Sequence, residues 1–209
     1  MKEQLLHTPD GVRDIYNGEC KKKLILQDKL HQVLLKYGYQ DIQTPTFEFF
    51  NIFSSQIGTT PSRDLYKFFD KEGNTLVLRP DFTPSIARSA AKYYMDEQMP
   101  VKLCYIGNTF TNSNSYQGRL KEITQSGAEL IGDGSTAADA EILAMVVDSL
   151  KTAGLSEFQI SVGHAQFFGG LVKAAGLQEE EEAELRSLIS NKNFFGVEEF
   201  VDTMDLEEN

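Results

Sequence analysis

The stretch "NTFTNSNSYQGRLKEITQSGAELIG", Asn108–Gly132, is where the reading of this chain turns. Val101–Thr111 is apolar and β-prone and Ile123–Ile131 alternates again, so the two runs predict a pair of strands. Between them, Asn112-Ser113-Asn114-Ser115-Tyr116-Gln117-Gly118 is a cluster of turn formers. A long hairpin of this kind is suited to holding a nucleotide over an antiparallel sheet. That chemistry needs a fixed positive charge at the end of the first strand to meet the phosphates. Thr111 stands there instead.

On the N-terminal side, Cys20–Tyr37 predicts a helix with Leu30, Val33, Leu34 and Tyr37 on one stripe, stopped by Gly38. "YQDIQTPTFEFF" predicts an extended segment broken by Pro45, and "KFFDKEGNTLVLRP" a second hairpin around Glu72-Gly73-Asn74. "TPSIARSAAKYYM" predicts a helix with Thr83 as N-cap and Pro84 at its first position. Beyond the opening hairpin, Ser135 or Thr136 is set to cap a helix with Ile142, Leu143, Val146, Val147 and Leu150 on its buried stripe, ended by Gly154. "FQISVG" predicts a strand and "HAQFFGGLVKAAGL" a short helix. Glu179–Glu182 opens a last helix, where carboxylates favour the positive end of the dipole. Helices flanking hairpin-joined strands predict an α+β fold with a mainly antiparallel sheet. "VEEFVDTMDLEEN" brings no closing strand, so the expected architecture is truncated at the C-terminus.

With 209 residues, 41% of them hydrophobic, the chain can bury the core of one sizeable domain, or of one domain and part of another. No window approaches the roughly 18 consecutive apolar residues of a membrane span. "MKEQLLHTPDG" has no apolar signal core, so the expectation is a cytoplasmic protein without a membrane partner. A net charge of −11 argues against broad contact with a nucleic-acid backbone, and Lys21-Lys22-Lys23 reads as a solvated helix face. Cys20 and Cys104 lack further cysteines, and His7, His31 and His164 are scattered, so spacing predicts neither a disulfide framework nor a metal site. There is no Walker loop, no G-x-G-x-x-G and no G-x-S-x-G, and no cofactor is expected. Gly163, Gly169 and Gly170 read as close helix packing.

One constellation carries chemistry. "LRPDFT" sets Asp81 and Thr83 at a strand end before a helix, and "TQSGAE" sets Gln125, Gly127 and Glu129 on one strand face, because strand side chains alternate. Two carboxylates, a hydroxyl and an amide facing one another form an acceptor-rich pocket suited to an ammonium group.

These residues resemble the catalytic core of the histidyl-tRNA synthetase family, a class II synthetase family. "TPDGVRDI" is similar to its opening segment, and "GYQDIQTPTFE" to its first motif, in which the proline, here Pro45, implies a dimer interface. "LRPDFTPSIAR" resembles the family's "LRPEGT" stretch, with Asp81 one methylene shorter than the glutamate. "GRLKEITQSGAELIG" resembles the second half of the second motif. The similarity runs in register from about Thr8 to Gly132 and more loosely to Gly176. It implies an incomplete class II synthetase-like core over 1–176 and the start of a helical insertion or linker over 177–209. The departures bear on function. The family's phosphate-binding arginine falls at Thr111, and its loop glutamate and second arginine are replaced by Asn112–Ser115, leaving Arg119 and Lys121. The histidine-specific arginine–glycine–leucine–aspartate run, the third motif and an anticodon-binding domain are missing from the sequence.

"SVGHAQFFGGLVKAAGL" and "LRSLISNKNFFGVEEFVD" resemble instead a non-catalytic branch, the regulatory subunits of ATP phosphoribosyltransferase. That resemblance implies no catalytic residues and a role at the first step of histidine biosynthesis. It implies a homodimer within a hetero-oligomer with the catalytic subunit, and no tRNA partner. Asp81, Thr83, Gln125 and Glu129 would then hold the α-ammonium of L-histidine. Two other readings stay open from sequence: a divergent synthetase fragment, and an orphan paralogue that senses an amino acid.

Overall fold

The computed structural model describes residues 6–54, 60–96, 99–112, 118 and 120–203. The loop residues Ser113–Gln117 and Arg119 lie outside them. The chain divides into two compact units, Met1–Ser156 and Glu157–Asn209. The sequence itself suggests a division at residue 176.

In the first unit, helix α1 spans Asn17–Lys36, with Glu19 in its first turn and Lys36 in its last. Gly38 takes φ +83°, a left-handed conformation that ends the helix without a side-chain clash. Strand β1 (Gln40–Asp41) follows, then β2 (Phe47–Phe49), β3 (Lys67–Phe69) and β4 (Thr75–Leu78). Helix α2 spans Thr83–Tyr93, the long strands β5 and β6 are Val101–Phe110 and Glu122–Ile131, and helix α3 is Thr136–Thr152.

Two three-stranded sheets result, in the orders β1-β5-β6 and β2-β4-β3. The expected opening hairpin is present: β5 and β6 pair antiparallel from Val101↔Ile131 to Phe110↔Glu122. Among the described strands β1 alone pairs parallel, with Asp41 opposite Cys104. Alternation sends successive residues of β5 into different cores. Cys104 packs with Val33, Leu34, Tyr39 and Met145 on the α1 and α3 side. Val101, Leu103 and Tyr105 pack with Phe82 and Ile86 on the α2 side. A third cluster, Phe53, Leu65 and Val77, supports the second sheet, and Arg88 of α2 donates to Glu48 of β2 at 2.7 Å.

Several expectations need correction. Thr83 is the first residue of α2 and not its N-cap; the N-cap is Phe82, which has no side-chain acceptor to offer, and the Thr83 hydroxyl donates to Glu129. Ser135 does cap α3, accepting from Ala138 N at 3.2 Å. The buried line of α3 is Ala138, Ile142 and Met145, while Leu143 and Val146 stand 38% and 40% exposed. α3 is apolar on more than one face, so periodicity admitted two stripes and packing on α1 chose one.

In the second unit, α4 (Ala165–Ala174), α5 (Glu179–Ser190) and α6 (Phe194–Asp202) follow one another. "FQISVG" forms no strand, since a strand exists only by pairing and none of the described strands pairs with it. α5 is not the last helix: Asn193 Oδ1 accepts from Gly196 N at 3.0 Å and caps α6. Close packing at glycine occurs at Gly196, where a Cβ would lie 2.9 Å from Leu188 Cδ2. A Cβ on Gly163, Gly169 or Gly170 would meet open space among the described residues.

Candidate functional site

Three of the four expected pocket residues converge on the α2-facing side of the β5–β6 hairpin. Thr83 Oγ1 donates to Glu129 Oε1 at 2.7 Å, and Thr83 N donates to Asp81 Oδ1 at 3.4 Å. Asp81 sits in the turn between β4 and α2, so the helix start delivers both residues to the strand face. Gln125 shares that face with Glu129 but lies four residues along β6, roughly 13 Å away at strand spacing. It makes no side-chain hydrogen bond with the other three among the described residues.

The gap between Gln125 and Glu129 is filled by Tyr105. Register places Tyr105 opposite Gly127, and a Cβ on Gly127 would collide with the phenol ring and its hydroxyl. Glycine at 127 is therefore the space in which Tyr105 lies across β6. The Tyr105 ring stacks on Phe82 at 4.2 Å between centroids, and Phe82 in turn carries the Arg79 guanidinium at 4.0 Å. Sequence reasoning missed Tyr105. The clue was present, because Leu103, Tyr105 and Gly107 share a strand parity and pair with Glu129, Gly127 and Gln125.

The electrostatics of the cluster are those of an acceptor site. Burial, and then the neighbouring Asp81 charge, push the Glu129 carboxyl above its ordinary range against the pull of the Thr83 hydrogen bond. Tyr105 is pushed up to about 12 by burial and by the charges of Glu129 and Asp81. A raised carboxyl is a carboxylate short of positive charge, which an ammonium ion would supply.

Thr111 follows β5 directly, and its backbone N–H donates to Lys121 O at 2.9 Å. Thr111 offers a hydroxyl and no cation. Arg79, the buried arginine beneath the site, is committed to backbone carbonyls of Asn108, Thr44 and Pro45.

A second feature lies on the β2-β4-β3 sheet. Phe47 and Phe49 face the same side as Leu76, Leu78 and Phe68 by register. Phe47 is 51% and Phe49 56% exposed, and Phe47 meets Phe68 edge-to-face at 5.6 Å. Exposed Pro45 leads directly into this apolar face.

The sequence pattern described as histidyl-tRNA synthetase matches residues 11–209. The chain is 43% identical, over 99% of its length and 49% of the relative's, to a protein of Ruminiclostridium cellulolyticum named ATP phosphoribosyltransferase regulatory subunit. A protein of Acetivibrio thermocellus with the same name is also 43% identical, over 97% of this chain and 48% of its own. A crystal structure from Bacillus halodurans, described as an ATP phosphoribosyltransferase regulatory subunit/histidyl-tRNA synthetase, superposes with a TM-score of 0.88. It is 35% identical, over 97% of this chain and 52% of that one. The chain thus spans about half the length of the curated relatives it matches. The α+β, class II synthetase-like core expected from sequence is borne out, as is the resemblance to the regulatory subunits. Matched from residue 11 to residue 209 and built on this core, the chain belongs to the histidyl-tRNA synthetase family.

Proposed function

We propose that this chain serves as the synthetase-like region of a non-catalytic regulatory subunit of ATP phosphoribosyltransferase, in the cytoplasm, at the first step of histidine biosynthesis. The observation that carries the reading is an acceptor cluster at one end of a hairpin whose other end, roughly 26 Å away at strand spacing, carries Thr111. The cluster suits a ligand ammonium, while Thr111 supplies no fixed cation to neutralise charge developing on a phosphate. The names of the relatives support the same reading. No helix of the described residues is long and apolar enough to cross a membrane.

The partner in this reading is the catalytic phosphoribosyltransferase subunit, and tRNA is not a ligand. Adding the chain to a short catalytic subunit is expected to raise phosphoribosyl-ATP synthesis and to make it sensitive to histidine. Histidine-dependent ATP–pyrophosphate exchange by the chain alone should stay at background. An unchanged rate and histidine response, or robust exchange, would overturn the proposal. The exposed Phe47, Phe49 and Phe68 face beside Pro45 supports a homodimer, since a contiguous exposed apolar face marks a surface that a partner covers.

The ligand in this reading is L-histidine, held by its α-ammonium on Asp81, Thr83 and Glu129, with Gln125 farther along the strand. With threonine and not a cation at position 111 for the ligand carboxylate, affinity should be on the order of millimolar, about −4 kcal/mol. Glu129→Gln keeps the shape, removes one charge and should weaken binding roughly tenfold. The raised Glu129 carboxyl sets the sign with pH: binding is strongest above its folded pKa and falls as pH drops through it. An ammonium draws that pKa back down, so binding takes a proton off Glu129 in this window. Calorimetric titration of both proteins across the acid range measures this. Equal affinities, or no fall toward acid, would remove Glu129 from the site.

A further inference from the structure

We propose that His31, Asp41 and Cys104 form a site for a borderline transition-metal ion of the zinc class. The inference is independent of the regulatory reading. Spacing in the sequence concealed the group, because three elements bring it together. β1 pairs parallel to β5 with Asp41 opposite Cys104, which sets their side chains on one face of the sheet. α1 packs on that face and supplies His31.

One ligand atom from each residue, an imidazole nitrogen, a carboxylate oxygen and a thiol sulfur, lies within 4.8 Å of the others. His31 Nε2 is 2.6 Å from Asp41 Oδ1, and Cys104 Sγ is 3.7 Å from the same oxygen. Ligand atoms around a tetrahedral zinc-class ion, with bonds of about 2.0–2.3 Å, stand roughly 3.3–3.8 Å apart. The sulfur–oxygen separation therefore already suits coordination. The nitrogen–oxygen contact has to open by about 1 Å, which the exposed Asp41 side chain achieves by rotating.

Nitrogen and sulfur in the set select against magnesium and calcium, which take oxygen ligands. Three protein ligands leave a fourth position. A cavity of about 320 Å³, lined by His31, Asp41, Ile42, Gln43, Tyr105 and Ile106, gives that position room for a water. Without metal, the same atoms satisfy one another, Cys104 Sγ–H donating to Asp41 and Asp41 bonding the imidazole. On binding, the ion takes the thiolate, one proton leaves to solvent, and neutral His31 and the Asp41 carboxylate complete the set.

Cobalt(II) titration of the purified chain tests the site. The expected result is one equivalent bound, with thiolate-to-cobalt charge-transfer absorption and the visible bands of tetrahedral cobalt, displaced by zinc. Cys104→Ser should abolish the charge transfer, and Cys20→Ser should leave it unchanged. Cys104 is fully buried, so its variant is paired with His31→Gln and Asp41→Asn, each expected to lower cobalt affinity at least tenfold with the far-ultraviolet spectrum unaltered. Absence of a charge-transfer band in the unmodified chain overturns the proposal. So does a band that survives Cys104→Ser or depends on Cys20, or full affinity in both partner variants.

Discussion

Arg79→Leu is expected to lower folding stability by about 2–4 kcal/mol, moving the thermal midpoint down by roughly 5–15 °C for a chain of this size. Arg79 is 8% exposed, and burial alone pulls its pKa down. Its guanidinium donates from Nε to Asn108 O at 2.8 Å and from Nη1 to Thr44 O at 2.9 Å. Its backbone completes the tie, with Arg79 N donating to Thr46 O and Phe110 N donating to Arg79 O, each at 2.9 Å. One residue thus joins the segment before β2 to the end of β5. Leucine would leave two inward carbonyls without donors, at about 1–3 kcal/mol each, offset in part by release from burying a charge. The loss should reach the candidate site, because Phe82 would lose its cation and Tyr105 stacks on Phe82. Arg79→Lys keeps the charge without the planar fork and should recover less than half of the loss. Urea unfolding of the three proteins decides it. Variants within about 0.5 kcal/mol of the parent, the usual range of surface changes, would show that the fork holds nothing together.

Phe47→Asp is expected to weaken self-association at least about 100-fold, or roughly 2.7 kcal/mol. The apolar face formed by Phe47, Phe49, Phe68, Leu76 and Leu78 is the surface through which the proposed homodimer would form. Burying a phenylalanine side chain stabilises by about 1.5–3 kcal/mol, and a twofold interface uses each residue twice. A carboxylate there must stay hydrated, which opposes closure from both copies. Phe69 makes the control. It is 72% exposed, but its register opposite Thr75 puts it on the other side of the sheet. Phe69→Asp should leave association unchanged. Sedimentation velocity across micromolar concentrations reads both variants. A monomeric parent, or a dimer indifferent to Phe47→Asp, would remove this face from the assembly.

Features that depend only on neighbours along the chain were legible from the residues. Gly38, Gly154 and Gly176 take positive φ at or just after helix ends, as a stop without a Cβ requires. Asp81 and Thr83 fell at a strand-to-helix junction, and Gln125 and Glu129 on one face, because alternation is a local property. The position of Thr111 after the hairpin's first strand was legible for the same reason, since it needed only register along the hairpin. The packing of the whole fold set where distant segments meet. It turned the Thr83 hydroxyl from a helix cap to Glu129, because a nearby carboxylate competes with the backbone for that donor. It laid Tyr105 into the space at Gly127, left "FQISVG" without a partner strand, and chose one of two apolar stripes on α3. It also drew His31, Asp41 and Cys104 together through a two-residue parallel pairing that no periodicity announces. Local conformation follows from dihedral preference and side-chain period, whereas a meeting of distant segments is fixed only when the whole core packs.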